Sequence, residues 1–234
     1  MPRVLLIEDD PAVRRGVVLG LSRNGHQTEA VGTGEDGIEA LAATEPDLVL
    51  LDLMLPGMSG LEVCRRIRET SRVPIVILSA RGDDLDVVIG LEAGADDYVI
   101  KPARGAVIEA RMRAVLRRVA PAQADTDGGA PAGPTRVGDL EIDRDALIVR
   151  KRGEELPLAP SELKLLLFFT AAPGRTFGRQ QLLEDVWEHS YHGDARLVDA
   201  CVMRLRAKIE EDPRSPVYVQ TVRGFGYRFG PLPA

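Results

Sequence analysis

Four apolar runs in the first half of the chain each stop at a polar residue. Val4-Leu-Leu-Ile7 leads into Glu8-Asp9-Asp10, and Leu48-Val-Leu-Leu51 into Asp52. Pro74-Ile-Val-Ile-Leu78 leads into Ser79, and Tyr98-Val-Ile100 into Lys101-Pro102. Continuous apolar runs of this length predict strands buried on both faces of a parallel sheet. A further strand is expected near Gln27–Val31. Between the strands the pattern changes to helical spacing. Asp10-Pro11 opens a helix, with Asp as cap and Pro in its first turn, and Asn24-Gly25 closes it. Further helices are expected at about 34–43, 61–67, 85–93 and 107–118. Alternating strands and helices predict an α/β layer structure, with helices on both faces of a doubly wound sheet. Ligands of such sheets sit beyond the carboxyl ends of the strands, which gathers Asp9, Asp52, Ser79 and Lys101 at one edge.

The second half follows another pattern. Short strands are expected at 137–142, 147–151 and 155–158, then helices at about 161–171, 179–187 and 196–210. The segment Tyr218-Val-Gln-Thr-Val-Arg-Gly-Phe-Gly-Tyr-Arg-Phe229 reads as a hairpin with Gly224 and Gly226 in its turn. Helices closed by a hairpin predict an α+β winged helix-turn-helix. Between the halves, residues 119–135 are mostly Ala, Pro, Gly and Asp and have almost nothing to bury, which predicts a flexible tether. The expected organisation is therefore a domain over 1–118, a linker over 119–135 and a second domain over 136–231.

Composition adds a few limits. The chain has 234 residues and is 44% hydrophobic, enough for ordinary cores. Its two cysteines, Cys64 and Cys201, predict neither a metal motif nor a disulfide framework. No apolar stretch approaches the roughly 20 residues that span a membrane. A strand begins almost at once, so no signal peptide is expected, and the expected location is cytoplasmic. Net charge is −6, but residues 196–228 carry seven basic against four acidic residues. Overall charge does not suggest nucleic acid; this stretch does.

The first-half cluster suits phosphoryl transfer. Asp52 is the candidate nucleophile, since a carboxylate can attack phosphorus and become an acyl phosphate. Glu8 and Asp9 suit Mg²⁺, which prefers carboxylates and water. Lys101 would neutralise phosphoryl oxygens and Ser79 hydrogen-bond one of them. A lone Asp at a strand end is ordinarily a turn former or cap, the role assigned to Asp10. Gly32-Thr-Gly-Glu-Asp-Gly37 has neither the Lys-Ser/Thr of a P-loop nor a dinucleotide fingerprint, and reads as a loop into a helix.

In the second half, Val198, Val202, Leu205 and Ile209 form the core face of the helix at 196–210. Arg196, Ala200, Met203 and Ala207 lie opposite, flanked by Arg204 and Arg206. Small residues between arginines let a helix sit close in a major groove. Thr221 and Arg223 in the hairpin are placed to reach backbone or minor groove. His189 and His192 lie in a loop without further ligands, a poor metal site.

Specific motifs support a family resemblance. Leu6-Ile-Glu-Asp-Asp10, Leu51-Asp-Leu-Met-Leu-Pro-Gly-Met-Ser-Gly60, Leu78-Ser-Ala80, Gly94-Ala-Asp-Asp-Tyr98 and Lys101-Pro102 resemble a bacterial response-regulator receiver domain. The chain as a whole, the tether excepted, resembles the OmpR/PhoB-type subfamily, which joins a flavodoxin-like five-stranded receiver to a C-terminal winged-helix DNA-binding domain. The resemblance implies that Asp52 accepts phosphate from a sensor histidine kinase. Glu8, Asp9, Asp52 and the Met54 backbone carbonyl would organise Mg²⁺. Ser79 would move to the phosphoryl group, Tyr98 would turn inward behind it, and Lys101 would pair with it.

The resemblance also implies a homodimer on phosphorylation, through the fourth helix, fifth strand and fifth helix. Asp97 with Arg111 and Glu92 with Arg113 match salt-bridge positions. A third pair is replaced by Val87 and Val107, and Ala103 stands where an aromatic usually follows Lys-Pro. On the DNA side, Arg196, Arg204, Arg206, Thr221 and Arg223 match contact positions. Leu197, Cys201 and Met203 replace common polar readers, so the target sequence is not inherited. The loop at 188–194 would touch RNA polymerase, and the target would be promoter DNA with direct-repeat half-sites. The expected protein is a regulator, not an enzyme, and needs no membrane. Two rivals are a phosphorylation-independent regulator and an Asp-based phosphotransferase, the latter lacking a second carboxylate beside Asp52 as general acid.

Overall fold

The computed structural model describes residues 1–80, 84–119, 133–187 and 195–230. The interior of the expected tether and the loop at 188–194 lie outside the described residues. The chain divides into two compact units, Met1–Arg117 and Arg118–Ala234.

In the first unit, strands β1 (Arg3–Ile7), β2 (Gln27–Val31), β3 (Leu48–Asp52), β4 (Ile75–Ser79) and β5 (Asp97–Ile100) form one parallel sheet in the order β2-β1-β3-β4-β5. Helices α1 (Pro11–Arg23), α2 (Gly34–Thr44), α3 (Gly60–Thr70), α4 (Asp84–Glu92) and α5 (Gly105–Val119) connect and follow them. The order reverses between β1 and β3, and doubly wound sheets place their sites at such a switch point. Asp10 caps α1, its Oδ1 accepting from the Ala12 and Val13 N–H groups at 2.6 and 3.0 Å. Those two bonds, Val13's first, hold its carboxyl below the usual range.

Side chains of the central strands alternate between two buried faces. Val4, Leu6, Leu50, Val76, Leu78 and Val99 share one core with Leu21 of α1 and Ile108, Met112 and Val115 of α5. On the other side, Gly37 lets α2 lie against β1, since a Cβ there would stand 2.4 Å from Ile7 Cδ1. Val63, Cys64 and Ile67 line the buried face of α3. Arg68 ties α3 to the start of β5, with Nη2 2.6 Å from the fully buried Asp96 carboxylate and Nε donating to the Gly94 carbonyl at 2.9 Å.

The second unit opens on an antiparallel sheet of β6 (Thr135–Val137), β7 (Leu140–Asp143), β8 (Ile148–Lys151) and β9 (Glu154–Glu155), in that order. The single strand expected at 137–142 is a hairpin, because Gly138 takes a φ of +63° and turns the chain. The strand expected at 155–158 shrinks to Glu154–Glu155. Then come α6 (Pro160–Ala171), β10 (Thr176–Phe177), α7 (Arg179–Trp187), α8 (Arg196–Ile209), β11 (Val219–Val222) and β12 (Gly226–Phe229). The closing hairpin gains a third strand, in the order β10-β12-β11. Two-residue β10 carries no alternation that marks a strand in sequence. The helices bury Leu165, Phe169, Trp187, Val198, Val202, Leu205 and Ile209, so the unit is a winged helix-turn-helix. Among the described residues no helix is long and apolar enough to cross a membrane.

Candidate functional site

Glu8 and Asp9 follow β1 and Asp52 ends β3, so the switch point brings three carboxylates together. One ligand oxygen from each lies within 4.8 Å of the others, a spacing that suits a metal ion. Glu8 and Asp52 are buried and Asp9 is exposed. Lys101, just past β5, bridges the two buried members, with Nζ 2.5 Å from Glu8 Oε2 and 2.7 Å from Asp52 Oδ2. The other Asp52 oxygen accepts from the Met54 N–H at 3.0 Å. Burial, assisted by the Asp52 charge, pushes the Glu8 carboxyl above its ordinary value although Lys101 opposes this. Burial alone would lower the Lys101 ammonium, but hydrogen bonds to Asp52 and Glu8 outweigh it and hold it above its ordinary value. Lys101 is therefore a permanent cation at neutral pH.

Ser79 ends β4 and is fully buried. Its carbonyl accepts from the Lys101 N–H at 2.8 Å, which fixes the chain carrying the lysine. Lys101-Pro102 is a cis peptide bond. Tyr98 is buried on β5, its ring edge lying 3.2 Å from where a Gly90 Cβ would stand. Gly60, at the start of α3, lies against the backbone of Asp52 and Leu53, and its N–H donates to the Leu53 carbonyl at 3.1 Å. Sequence reading put Gly60 inside a motif without a role; the structure shows that α3 can approach the Asp52 strand only because it lacks a side chain.

The residues expected at a dimer face differ in exposure within the protomer. Glu92 and Arg113 are exposed, and Val107 is 44% exposed. Within the protomer, Arg111 Nη1 lies 3.8 Å from the buried Asp97 carboxylate, and Arg113 Nε 2.9 Å from Glu109 on its own helix. Val87 departs from its expected place: it is only 4% exposed. It lies four residues before Leu91 and three before Gly90, on the face of α4 turned to the sheet, so it offers no surface to pair with Val107.

In the second unit, helix α8 presents Met203, 46% exposed, and the exposed Ala207. Ala200, expected beside them, is buried, as are Leu197 and Cys201. Arg196 opens the helix half-buried, and Thr221 and Arg223 are exposed on the hairpin. Arg204 and Arg206 do not stand free. Arg204 Nε lies 3.0 Å from Glu162 Oε1, and Lys208 Nζ 2.6 Å from Glu162 Oε2. Arg206 donates to the Val219 carbonyl at 2.8 Å and to Thr221 Oγ1 at 2.9 Å, with its guanidinium 5.6 Å from the Tyr227 ring centre. Arg179, Asp199 and Tyr227 form a second brace, with Arg179 Nε 2.6 Å and the Tyr227 hydroxyl 2.7 Å from Asp199 Oδ1.

Glu162 is the hub that the sequence reading missed; its signal was Pro160-Ser-Glu162, a helix start with Glu in the first turn. Its carboxylate also accepts from the Ala159 N–H at 2.9 Å. Burial would raise its pKa, but Arg204 and Lys208 hold it below the usual range. A lowered carboxyl contributes stability that is present above the unfolded value of 4.5 and is lost as pH falls through the folded value. Glu162→Gln should cost about 2 kcal/mol at neutral pH. It should also remove the part of the acid-induced loss that begins near pH 4.5. Urea denaturation followed by fluorescence of Trp187, the single tryptophan, measures both; an unchanged midpoint at neutral pH would exclude this role.

A family model described as the response regulator receiver domain matches residues 4–113. One described as transcriptional regulatory protein, C terminal, matches residues 153–229. The chain is 54% identical over 231 residues to the transcriptional regulatory protein AfsQ1 of Streptomyces coelicolor, covering 99% of each. It is 46% identical to the DNA-binding response regulator MtrA of Mycolicibacterium smegmatis, over 98% of this chain and 97% of that protein. Among solved structures, the response regulator DrrB, an OmpR/PhoB homolog from Thermotoga maritima, is similar at 34% identity with a TM-score of 0.51, covering 98% of this chain and 99% of that one. A mutant of RitR aligns with a TM-score of 0.76 at 26% identity over the same shares.

Proposed function

The chain belongs to the OmpR/PhoB-type response regulators of two-component systems, DNA-binding transcriptional regulators, and we propose that Asp52 is its phosphoacceptor. The observation that carries this reading is the position of Lys101, one cation held by hydrogen bonds against both Glu8 and Asp52 at the mouth of a three-carboxylate cluster. Such an ammonium is in place to pair with phosphoryl oxygens as soon as Asp52 carries them.

In the proposed step, the Asp52 carboxylate attacks the phosphorus of a phosphohistidine on a sensor kinase. The phosphorus–nitrogen bond breaks, and its electron pair leaves with the imidazole. Hydrolysis by water returns Asp52 and releases inorganic phosphate. Glu8, Asp9 and Asp52, with the Met54 carbonyl, would hold Mg²⁺; the three-carboxylate donor set fits this hard cation. When bound, it supplies charge neutralisation to the transferring phosphoryl group. Lys101 does the same from the β5 side, and Ser79 is placed at the end of the neighbouring strand to hydrogen-bond a phosphoryl oxygen. Tyr98, already buried on β5, would act as the switch residue.

Phosphorylation would shift the receiver toward a dimer, through Glu92, Val107, Arg111 and Arg113, while Asp97, fully buried, would hold Arg111 from within the protomer. The dimer would carry two winged helices to direct-repeat half-sites in promoter DNA. There α8 and the wing would make the contacts, with Arg196, Met203, Thr221 and Arg223 facing DNA and Arg204 and Arg206 bracing the helix. The loop at 188–194 is proposed to touch RNA polymerase. The protein would act in the cytoplasm.

Incubation with acetyl phosphate tests the reading. Intact mass should show one added phosphoryl group with Mg²⁺ and none in EDTA, and sedimentation should shift from monomer to dimer in the same samples. No mass gain with Mg²⁺ present would remove the phosphoacceptor role. A dimer of equal strength in both samples would favour regulation without phosphate.

A further inference from the structure

The wing ends in an aromatic residue that stays largely exposed among the described residues. Phe225 is 73% exposed, more than any other large apolar side chain among the described residues apart from Met1 at the chain start. Its backbone is nonetheless fixed. Its N–H donates to the Val222 carbonyl at 2.9 Å, and Val222 pairs with Gly226 across the hairpin. Gly224 and Gly226 on either side have φ of +79° and +133°, which glycine adopts readily. A Cβ on Gly226 would fall 2.1 Å from the Phe177 carbonyl oxygen, so β10 presses directly on the base of the tip. The ring is therefore carried on a stiff support and held in water.

A single exposed apolar side chain is ordinary on most surfaces. This one stands two residues from the exposed Arg223 and four from Thr221, on the element proposed to approach the minor groove. The exposed Arg223 beside it favours a polyanion. Apolar side chains that enter the minor groove wedge against sugars and base steps, and opening a step costs least at flexible pyrimidine–purine steps. We propose that Phe225 is an apolar minor-groove wedge that makes the protein prefer a flexible step, TA or CA/TG, at a fixed distance from the bases read by α8. This rests on the reading that α8 and the wing bind DNA. It assigns to the wing a sequence preference that Arg223, as a phosphate or groove-width contact, does not supply.

The test starts with duplexes selected from a randomised pool by the full-length phosphorylated protein. If no duplex is enriched, the DNA-binding reading itself fails. With an enriched duplex in hand, Phe225→Ser should weaken binding about tenfold and leave the slope of log affinity against log salt unchanged. Arg223→Ala should instead lower that slope by about one unit. Phe225→Leu, still an apolar wedge, should stay within about threefold of wild type. Replacing the flexible step with a stiff A-tract should weaken wild type and leave Phe225→Ser unaffected. Binding by Phe225→Ser within about twofold of wild type would overturn the proposal, as would a loss equal on both duplexes. A loss seen only on paired half-sites, with single-site binding intact, would also overturn it, because Phe225 would then contact protein. Circular dichroism melting of Phe225→Ser should match wild type, since the side chain supports nothing in the fold.

Discussion

Asp52→Asn protein should fold normally and take up no phosphoryl group from acetyl phosphate, whatever the Mg²⁺ concentration. The Asn oxygen can keep accepting from the Met54 N–H, now 3.0 Å from Asp52 Oδ1. Its amide then faces Lys101, where a carboxylate oxygen sat at 2.7 Å. Lys101 loses one of two anionic partners, but the cluster also loses one of three like charges. These effects oppose each other, so net stability should change by no more than about 1 kcal/mol. Removing the Asp52 charge should also bring the Glu8 carboxyl back toward its ordinary value, since that charge helps to raise it. The chemical loss has no such compensation, because an amide is not a nucleophile toward phosphorus and leaves no acyl phosphate. Acetyl phosphate that drives wild type to a dimer should leave the mutant's sedimentation unchanged. If the mutant gains a phosphoryl group, the acceptor is another residue and the assignment of Asp52 fails.

The strand ends were legible because a parallel sheet buries its strands on both faces, which writes each strand as an unbroken apolar run. Where such a run stops, the chain emerges at the sheet edge. The residues after Ile7, Leu51, Leu78 and Ile100 could thus be gathered before any contact was known. Asp10 as a cap was legible for a similar reason, since the cap and Pro11 are neighbours in sequence. What stayed hidden depends on partners distant in sequence. Arg204 looks like a DNA contact on a helical wheel, and only the fold brings Glu162 to meet it, 42 positions away. Val87 looks exposed as half of a substituted ion pair, but the packing of Gly90 and Leu91 turns its side of α4 to the sheet. The run at 137–142 alternates well enough for one strand; the positive φ of Gly138 breaks it. Strand β10 exists only through its pairing with Arg228 and Tyr227.

Gly60→Ala should destabilise the receiver by about 3 kcal/mol or more. Two effects compete at this position. Alanine is the better helix former, which favours the variant by about 1 kcal/mol at the start of α3. Against this, the new Cβ would stand 2.0 Å from the Asp52 carbonyl oxygen and 2.6 Å from Leu53 Cα. Both are backbone atoms of the segment that carries the phosphoacceptor, so no side-chain rotation relieves the overlap. Helix α3 must retreat by about 1 Å, loosening the contacts of buried Val63, Cys64 and Ile67. A packed interior resists such a shift, so the clash wins. Thermal melting by circular dichroism should show the receiver transition lowered by roughly 10 °C. The transition followed by Trp187, which lies in the second unit, should be unmoved. Gly16→Ala is the matching control. A Cβ there meets nothing within 4 Å, and the site lies inside α1, so that variant should be neutral or stabilised by up to about 1 kcal/mol. Phosphoryl uptake by Gly60→Ala should slow as well, because the displaced backbone orients Asp52 and the Met54 amide. If Gly60→Ala melts with wild type, α3 yields more easily than close packing allows, and the glycine has no part in placing the site.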